Sequence, residues 1–170
     1  MGNLKEKLGP LVLQFTKFDK WVLKSPDEFL VRLDGFLKRS DPKLRFTVEI
    51  RNKDWLDGKL LDALRKHNVA LALTDTSFMP RPWEIRDKVD LVTSDFAFVR
   101  WLGNRKGIEE VTTTWDKTVV DRQSDLANWV VVLRRLVLDR RIRRIFAFAN
   151  NHYSGHAPAT VKQFWELWKT

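Results

Sequence analysis

The sequence of 170 residues contains no cysteine, which excludes disulfides and thiolate metal sites. It has no apolar run near the roughly 18 residues that a membrane-spanning helix needs, and its first ten residues lack the apolar block of a secretory signal. No glycine-rich phosphate loop follows the first apolar segment, which argues against a dinucleotide-binding fold. These absences favour a cytoplasmic protein that does not cross a membrane.

The residues that are present indicate one globular domain spanning residues 1–170. Apolar residues make up 44% of the chain and charged residues 31%, as in an ordinary folded domain. Lysine and arginine outnumber aspartate and glutamate by 31 to 22, so the net charge is +9, which raises nucleic acid as a partner. The densest basic cluster, RRLVLDRRIRR (134–144), is predicted to lie at the opposite end of the strands from any ligand site.

Five short apolar segments alternate with helical patterns along the chain. Each is short enough to be a buried strand, and strand–helix alternation of this kind predicts parallel strands joined by crossovers. The fold is therefore predicted to be a doubly wound α/β sheet or a (β/α) barrel. The segments are LVLQF (11–15), FTVEIR (46–51), VALALTD (69–75), FAFVRW (96–101) and IFAFANN (145–151).

Helix starts can be predicted from capping residues. Ser25 and the following Pro-Asp-Glu form a capping box before an apolar stripe, and Asp54 is expected to cap a second helix. Ser124 is expected to open a third helix, and Pro158 a last one. The inward-facing stripe of the last helix is predicted to comprise Val161, Phe164, Trp165 and Trp168.

Polar residues stand at or near the carboxyl ends of all five predicted strands, where parallel α/β folds bind ligands. Because side chains alternate along a strand, Glu49 and Arg51 are predicted to point away from the apolar, helix-packed side, into the lumen of a barrel. Arg100 joins them in an alternative interpretation, in which the three form only buried ion pairs. The predicted strand-end residues are Gln14, Glu49, Arg51, Asp75, Arg100, Asn150 and Asn151.

The stretch IFAFANNHYSGHAPATV (145–161) places two of the three histidines after the last strand. His152 and His156 are predicted to lie in a loop over the mouth, where the start of the last helix and Arg105 would help to bind an anion. The His-x-x-x-His spacing also resembles a zinc motif, but Gly155 argues against the helix that such a motif needs. No metal and no cofactor is assigned.

These segments resemble the DUF72 family (domain of unknown function 72), the YecE-like proteins. The motifs are LGPLVLQF (8–15), VEIRNKDW (48–55), VALALTD (69–75), FAFVRWLGNR (96–105) and, most specifically, FANNHYSGHAPATV (148–161). The resemblance runs end to end and implies a TIM-type (β/α)8 barrel, but no established reaction. This chain has Thr16-Lys17 where the family usually has a proline pair, and nothing in it matches the family's N-terminal motif.

The resemblance and the strand count together predict part of a barrel. Five strands are fewer than eight, and 170 residues are fewer than the roughly 250 of a complete TIM barrel. The chain is therefore expected to match strands four to eight and to lack the first three, as a fragment, a late start or a truncated form. Such a sheet would have open edges near 11–15 and 146–149, which invite self-association.

The leading functional hypothesis is an enzyme that acts on a small anionic, perhaps phosphorylated, substrate. Glu49 and Asp75 are the acid–base candidates, because partial desolvation suits carboxylates to proton transfer near neutral pH. The remaining residues are predicted to bind the substrate: Gln14, Arg51, Arg100, Arg105, Asn150, Asn151, His152 and His156. Two alternatives stay open, namely a nucleic-acid-binding or nuclease-like barrel and an inactive remnant that associates through its sheet edges.

Overall fold

A computed structural model describes residues 4–170, whose strands form one parallel sheet. The strand order across the sheet follows the order along the chain, and the sheet is open rather than closed. This confirms the predicted α/β fold and is consistent with part of a TIM-type barrel. The five strands found within the described residues are β1 (Leu11–Gln14), β2 (Phe46–Glu49), β3 (Ala70–Thr76), β4 (Phe96–Gly103) and β5 (Arg144–Ala149).

Helices connect the strands, as the alternating pattern predicts. The seven α-helices of residues 4–170 are α1 (Pro26–Arg39), α2 (Gly58–Lys66), α3 (Pro82–Ile85), α4 (Arg105–Glu109), α5 (Gln123–Leu138), α6 (Asn151–Ser154) and α7 (Ala157–Lys169). Two short 3-10 turns occur at Lys5–Lys7 and Lys53–Trp55. The short helix α4 lies in the segment between β4 and α5.

The main core lies between the helices and one face of the sheet, which we call the outer face. Leu64 of α2, Trp129 of α5, and Val48 and Val99 of the strands are fully or almost fully buried in it. Burial of apolar side chains is worth about 1.5–3 kcal/mol for each large residue, so this layer supplies most of the fold's stability.

The other face, the inner face, carries a separate and smaller apolar layer. Ala70 and Ala72 of β3 pack there with Phe96 and Phe98 of β4, and Phe146 of β5 lies against them. The small β3 side chains leave room for larger side chains from the neighbouring strands. The inner face is more open toward the edge strands, where Val12 and Phe148 are exposed.

The helix starts agree only partly with the sequence predictions. Ser25 caps α1 by accepting a hydrogen bond from the Glu28 backbone N–H, as predicted. The cap predicted at Asp54 is wrong, because Asp57 caps α2 and accepts from the Leu60 N–H. The buried Trp55 packs against Phe18 and draws this segment into a 3-10 turn first.

The later helices differ from the predictions by a residue or a face. Helix α5 begins at Gln123, one residue before the predicted Ser124. In α7, Phe164 and Trp168 pack against the core, but Trp165 and Val161 are about half exposed, so the predicted inward orientation of these two is wrong. Within residues 4–170, no helix is both long enough and apolar enough to cross a bilayer.

Candidate functional site

Three of the predicted residues meet on the inner face at the carboxyl ends of the strands. Arg100 Nη1 donates to Glu49 Oε2 over 2.5 Å and to Gln14 Oε1 over 3.1 Å. Glu49 is 2% exposed, whereas the Arg100 side chain keeps 24% of its surface in contact with solvent. A buried carboxylate is therefore joined to a guanidinium that reaches solvent.

The strand register explains why these three side chains meet. Gln14 lies beside Glu49 in the β1–β2 pair, and Thr74 lies beside Arg100 in the β3–β4 pair. All four share the inner face. Residues paired across parallel strands point to the same face, as do residues two apart on one strand, and the β2–β3 register links the two pairs. Thr74 is short, so the long Arg100 side chain can cross above β3 to reach β2.

Arg51 lies two residues beyond Glu49, just after the end of β2. Its guanidinium lies 5.4 Å from the ring centroid of Phe78, which follows β3. Its Nε atom is buried and has no hydrogen-bond partner among the described residues. Arg51 therefore retains a donor that no described protein group uses.

Asp75 belongs to the outer face, away from the Glu49 cluster. It alternates with Thr74 and is 2% exposed. Its Oδ2 atom accepts hydrogen bonds from Trp129 Nε1 and from the Tyr153 hydroxyl, each over 2.9 Å. Its Oδ1 atom accepts from Arg81 Nε over 3.0 Å. The catalytic role of Asp75 stays a prediction, and these three donors favour a structural role.

The buried Asp75 charge also affects the pKa of Tyr153. Burial raises the pKa of the Tyr153 hydroxyl far above its ordinary value, and the nearby Asp75 charge raises it further. Tyr153 therefore keeps its proton at neutral pH and donates a hydrogen bond to Asp75. No local pattern predicts that Arg81, Trp129 and Tyr153 contact Asp75, since they lie 6, 54 and 78 residues from it in the chain.

A second polar cluster forms after β4 and β5. His152 Nδ1 lies 2.7 Å from Asn150 Oδ1, and His152 Nε2 lies 3.3 Å from Glu109 Oε1. Arg105 Nε donates to the same Glu109 oxygen over 2.7 Å, and this bond lowers the pKa of Glu109. Glu109 was not predicted, although it lies one helical turn after Arg105.

The start of α7 is capped from within the loop. Asn151 Oδ1 accepts a hydrogen bond from the Ala157 N–H over 2.8 Å, and Pro158 has no N–H to offer. His156 is the residue before the helix and makes no side-chain capping bond. The anion site predicted here therefore has fewer available donors than the sequence suggests.

Neither polar cluster has the arrangement of a metal site. Among residues 4–170, no group of three or more histidine, aspartate or glutamate side chains is placed to hold a metal ion. Residues Asn151–Ser154 form the one-turn helix α6 where a loop was expected, and Gly155 ends this helix at φ 110°, before His156. His152 therefore lies in α6, whereas His156 is the extended residue that precedes α7.

The arginine cluster 134–144 makes structural contacts, as expected for a region away from the mouth. Arg141 forms ion pairs with Asp90 over 2.5 Å and with Asp139 over 2.7 Å. Arg134 donates to the Trp168 carbonyl and lies over its ring. Arg134 and Arg141 are thus engaged in contacts within the protein, which leaves less free positive charge for a nucleic acid.

Comparison with known proteins supports the resemblance along the whole chain. Residues 1–170 match the family described as "Protein of unknown function DUF72". No curated protein matches the chain.

Solved structures share the fold. A DUF72 family protein from Thermotoga maritima has a TM-score of 0.71 at 19% identity, covering 99% of this chain and 61% of that one. Two crystal structures of a DUF72 family protein from Enterococcus faecalis have TM-scores of 0.67 and 0.65 at 18% identity. They match all of this chain, which covers 62% and 65% of their length. The chain thus spans about three fifths of the proteins it resembles.

Proposed function

The chain belongs to the DUF72 family, whose description states no reaction, and from that premise we propose that it is an enzyme acting on a small anionic substrate. The substrate binds at the carboxyl ends of the strands, on the inner face. The observation that carries this proposal is the buried Glu49 carboxylate held by the partly exposed Arg100.

The chemistry of the pair suits proton transfer beside a negative charge. Glu49 is the acid–base residue, and Arg100 adds positive charge that attracts an anionic substrate and stabilises negative charge that develops during the reaction. Gln14 fixes the Arg100 guanidinium through its side-chain oxygen. Arg51 extends the positive charge along the same strand end. A cytoplasmic location accompanies this proposal as a prediction.

The C-terminal cluster orients the substrate from the other side of the mouth. In this proposal the His152 imidazole is held between Asn150 and Glu109 and contacts the substrate through its ring. Arg105 and His156 complete the predicted binding set, and Asn151 organises the loop by capping α7. Asp75 anchors α5 and α6 beneath this loop.

The experiment is a substitution that keeps the shape of Glu49 and removes its charge. A panel of small phosphorylated and carboxylated metabolites is first screened for compounds that the protein converts. Glu49→Gln should lower the turnover of any such compound by about 100-fold or more while circular dichroism stays unchanged. Glu110→Gln, at an exposed position, is the control. Unchanged turnover in Glu49→Gln would remove Glu49 from the mechanism.

A nucleic-acid-binding protein is the second candidate, favoured by one exposed aromatic residue. Trp21 is 85% exposed in the β1–α1 loop, with Lys20 beside it and Lys17 and Lys24 nearby. Stacking of bases on an aromatic ring within a basic segment is a common way to bind single strands. Affinity for a single-stranded oligonucleotide should then fall steeply with salt and fall further in Trp21→Ala.

Association through the sheet edges is the remaining hypothesis. Within the described residues, β1 and β5 each pair with a neighbour on one side only. A free edge offers backbone hydrogen-bonding groups to another strand. Light scattering that finds a monodisperse monomer would exclude self-pairing.

A further inference from the structure

A cationic groove of about 550 Å³ opens at the carboxyl ends of β1, β2 and β3. Lys17 from the β1–α1 loop and Arg51 and Lys53 from the segment after β2 contribute three positive charges to its lining. Asp54 contributes one negative charge, which leaves a local excess of two positive charges. The groove is therefore charged to receive a dianion.

Arg51 gives the groove a directed donor. Its buried Nε makes no hydrogen bond within residues 4–170, and its guanidinium stacks 5.4 Å from the Phe78 ring centroid. Stacking fixes the plane of a guanidinium and leaves its in-plane N–H groups for oxyanions. Arg51 makes no ion pair within residues 4–170, so its positive charge is available to an anion in the groove that it lines.

The groove is held in shape by Asn52. The Asn52 side chain accepts from the Phe18 N–H over 2.8 Å and donates to the Phe18 carbonyl over 2.9 Å. These two bonds tie the β1–α1 loop to the segment after β2. Lys17, next to Phe18, and Lys53, next to Asn52, are thereby held on the same groove before any ligand arrives.

The remaining lining residues indicate what the anion is attached to. Phe78 is 47% exposed and offers an apolar wall, and Ser77 beside it offers a hydroxyl. Glu49, the proposed acid–base residue, lies two residues before Arg51 on the same strand end. A ligand whose charged end enters the groove therefore has its uncharged part toward Phe78 and its reacting part toward Glu49.

We infer that this groove is the phosphoryl subsite of a phosphomonoester substrate, an inference that rests on the proposed function. Two negative charges of the phosphate balance the local excess of two positive charges. Lys17 and Lys53 supply point charges, Arg51 supplies directed donors, and Phe78 packs against the organic part. This assigns phosphate binding to the loops after β1 to β3 instead of those after β4 and β5.

The test is a calorimetric titration of the protein with inorganic phosphate and with phenyl phosphate at low ionic strength. Lys17→Gln combined with Lys53→Gln should weaken the binding of both compounds by about tenfold or more, because both removed charges contact the phosphoryl group. All four lysines used in the test and its control are exposed, so folding should not change. Phe78→Ala should weaken the binding of phenyl phosphate and leave the binding of inorganic phosphate nearly unchanged.

The control carries the same change in net charge away from the groove. Lys20→Gln combined with Lys43→Gln should bind phosphate within about twofold of the unchanged protein, because neither residue lines the groove. An equal loss in both double variants would overturn the inference, since the attraction would then be one of overall charge. Absence of saturable phosphate binding would overturn it as well.

The subsite and the proposed function fail in different measurements. Glu49→Gln should bind inorganic phosphate like the unchanged protein, because Glu49 does not line the groove. If phosphate binds normally but turnover does not depend on Glu49, the subsite stands and the mechanism is wrong. If turnover depends on Glu49 but phosphate does not bind, the subsite is wrong and the mechanism stands.

Discussion

Arg100 on β4 donates a hydrogen bond to Glu49 on β2, two strands away, over 2.5 Å. Adjacent strands lie about 4.8 Å apart, so the Arg100 and Glu49 side chains together span about 10 Å of sheet. Thr74 on the intervening β3 is small enough to lie beneath it. The Arg100–Glu49 ion pair therefore depends on the relative positions of β2, β3 and β4.

Loss of Arg100 should destabilise the fold more than loss of both partners. Arg100→Met leaves the Glu49 carboxylate buried without its cation, which is expected to cost about 3–5 kcal/mol in the free energy of unfolding. Glu49→Gln with Arg100→Met should recover a large part of that loss, because no unpaired charge stays buried. Urea unfolding of the two single variants and the double variant measures the coupling. Additive losses would contradict a direct interaction between the two side chains.

Asp75 should prove more important for stability than an exposed aspartate. Asp75→Ala leaves Trp129, Tyr153 and Arg81 without an acceptor and is expected to cost about 3 kcal/mol or more. Tyr153→Phe, which removes one donor, should cost about 2 kcal/mol. Asp87→Ala, at a side chain 86% exposed, is the control and should change stability by less than about 1 kcal/mol. Full stability in Asp75→Asn with lost turnover would instead indicate the catalytic role first predicted.

Gly103 should not tolerate a side chain. It has φ 72°, and an added Cβ would lie 2.6 Å from Tyr153 Cα and against the His152 carbonyl oxygen. Gly103→Ala is therefore expected to cost more than about 2 kcal/mol and to displace α6. Gly58→Ala, where nothing lies within 4 Å, should be neutral or stabilise by up to about 1 kcal/mol. Thermal unfolding of the two variants distinguishes a steric effect from a general intolerance of glycine replacement.

Stability should fall in acid partly through Asp34. The Lys38 ammonium, followed by His67 and Lys66, lowers the pKa of Asp34 well below its ordinary value of 3.8. A carboxylate with a lowered pKa contributes stability that is complete above its ordinary pKa and is lost as the pH falls toward the folded-state pKa.

The measurement for Asp34 is the free energy of unfolding against pH. The difference between the unchanged protein and Asp34→Asn should shrink as the pH falls from about 5 to about 3. Asp87→Asn carries the same change in net charge and is the control. A difference that stays constant over this range would exclude a contribution from Asp34 protonation.

Much of the fold follows from short apolar segments whose length is typical of strands. The predicted strand at 46–51 appears at Phe46–Glu49, and the one at 69–75 appears at Ala70–Thr76. Their ends differ by one or two residues: β2 ends two residues earlier than predicted, at Glu49, whereas β3 extends one residue further, to Thr76. Asn151, assigned to the last strand, instead begins α6.

Alternation of apolar and polar residues predicts the sheet face of Glu49 but not that of Asp75. Glu49 was assigned to the inner face because Val48 and Ile50 are apolar, and it lies there. In β3 the residues on both faces are apolar, so Asp75 was assigned by its place at the strand end. Side-chain size was the available signal, because Leu71 and Leu73 share the face of Asp75 whereas Ala72 does not.

Contacts between distant residues could not be predicted from any local pattern. Glu109 meets His152 because β4 and β5 are neighbours, although the two residues are far apart in the chain. The groove residues Lys17 and Lys53 lie three and four residues after the ends of β1 and β2, in the loops where ligand-binding residues are expected. Their common lining depends on the Asn52 bonds to Phe18, which no spacing reveals.

Asp75 joins four parts of the molecule through its two oxygens: its own strand β3, the start of α3 through Arg81, α5 through Trp129 and α6 through Tyr153. If any one of these parts moves away, a buried polar group loses its hydrogen-bond partner. Amide hydrogens of β3, α5 and α6 should consequently exchange with solvent through one shared opening event, so the segment that carries His152 has the same protection as the centre of the sheet.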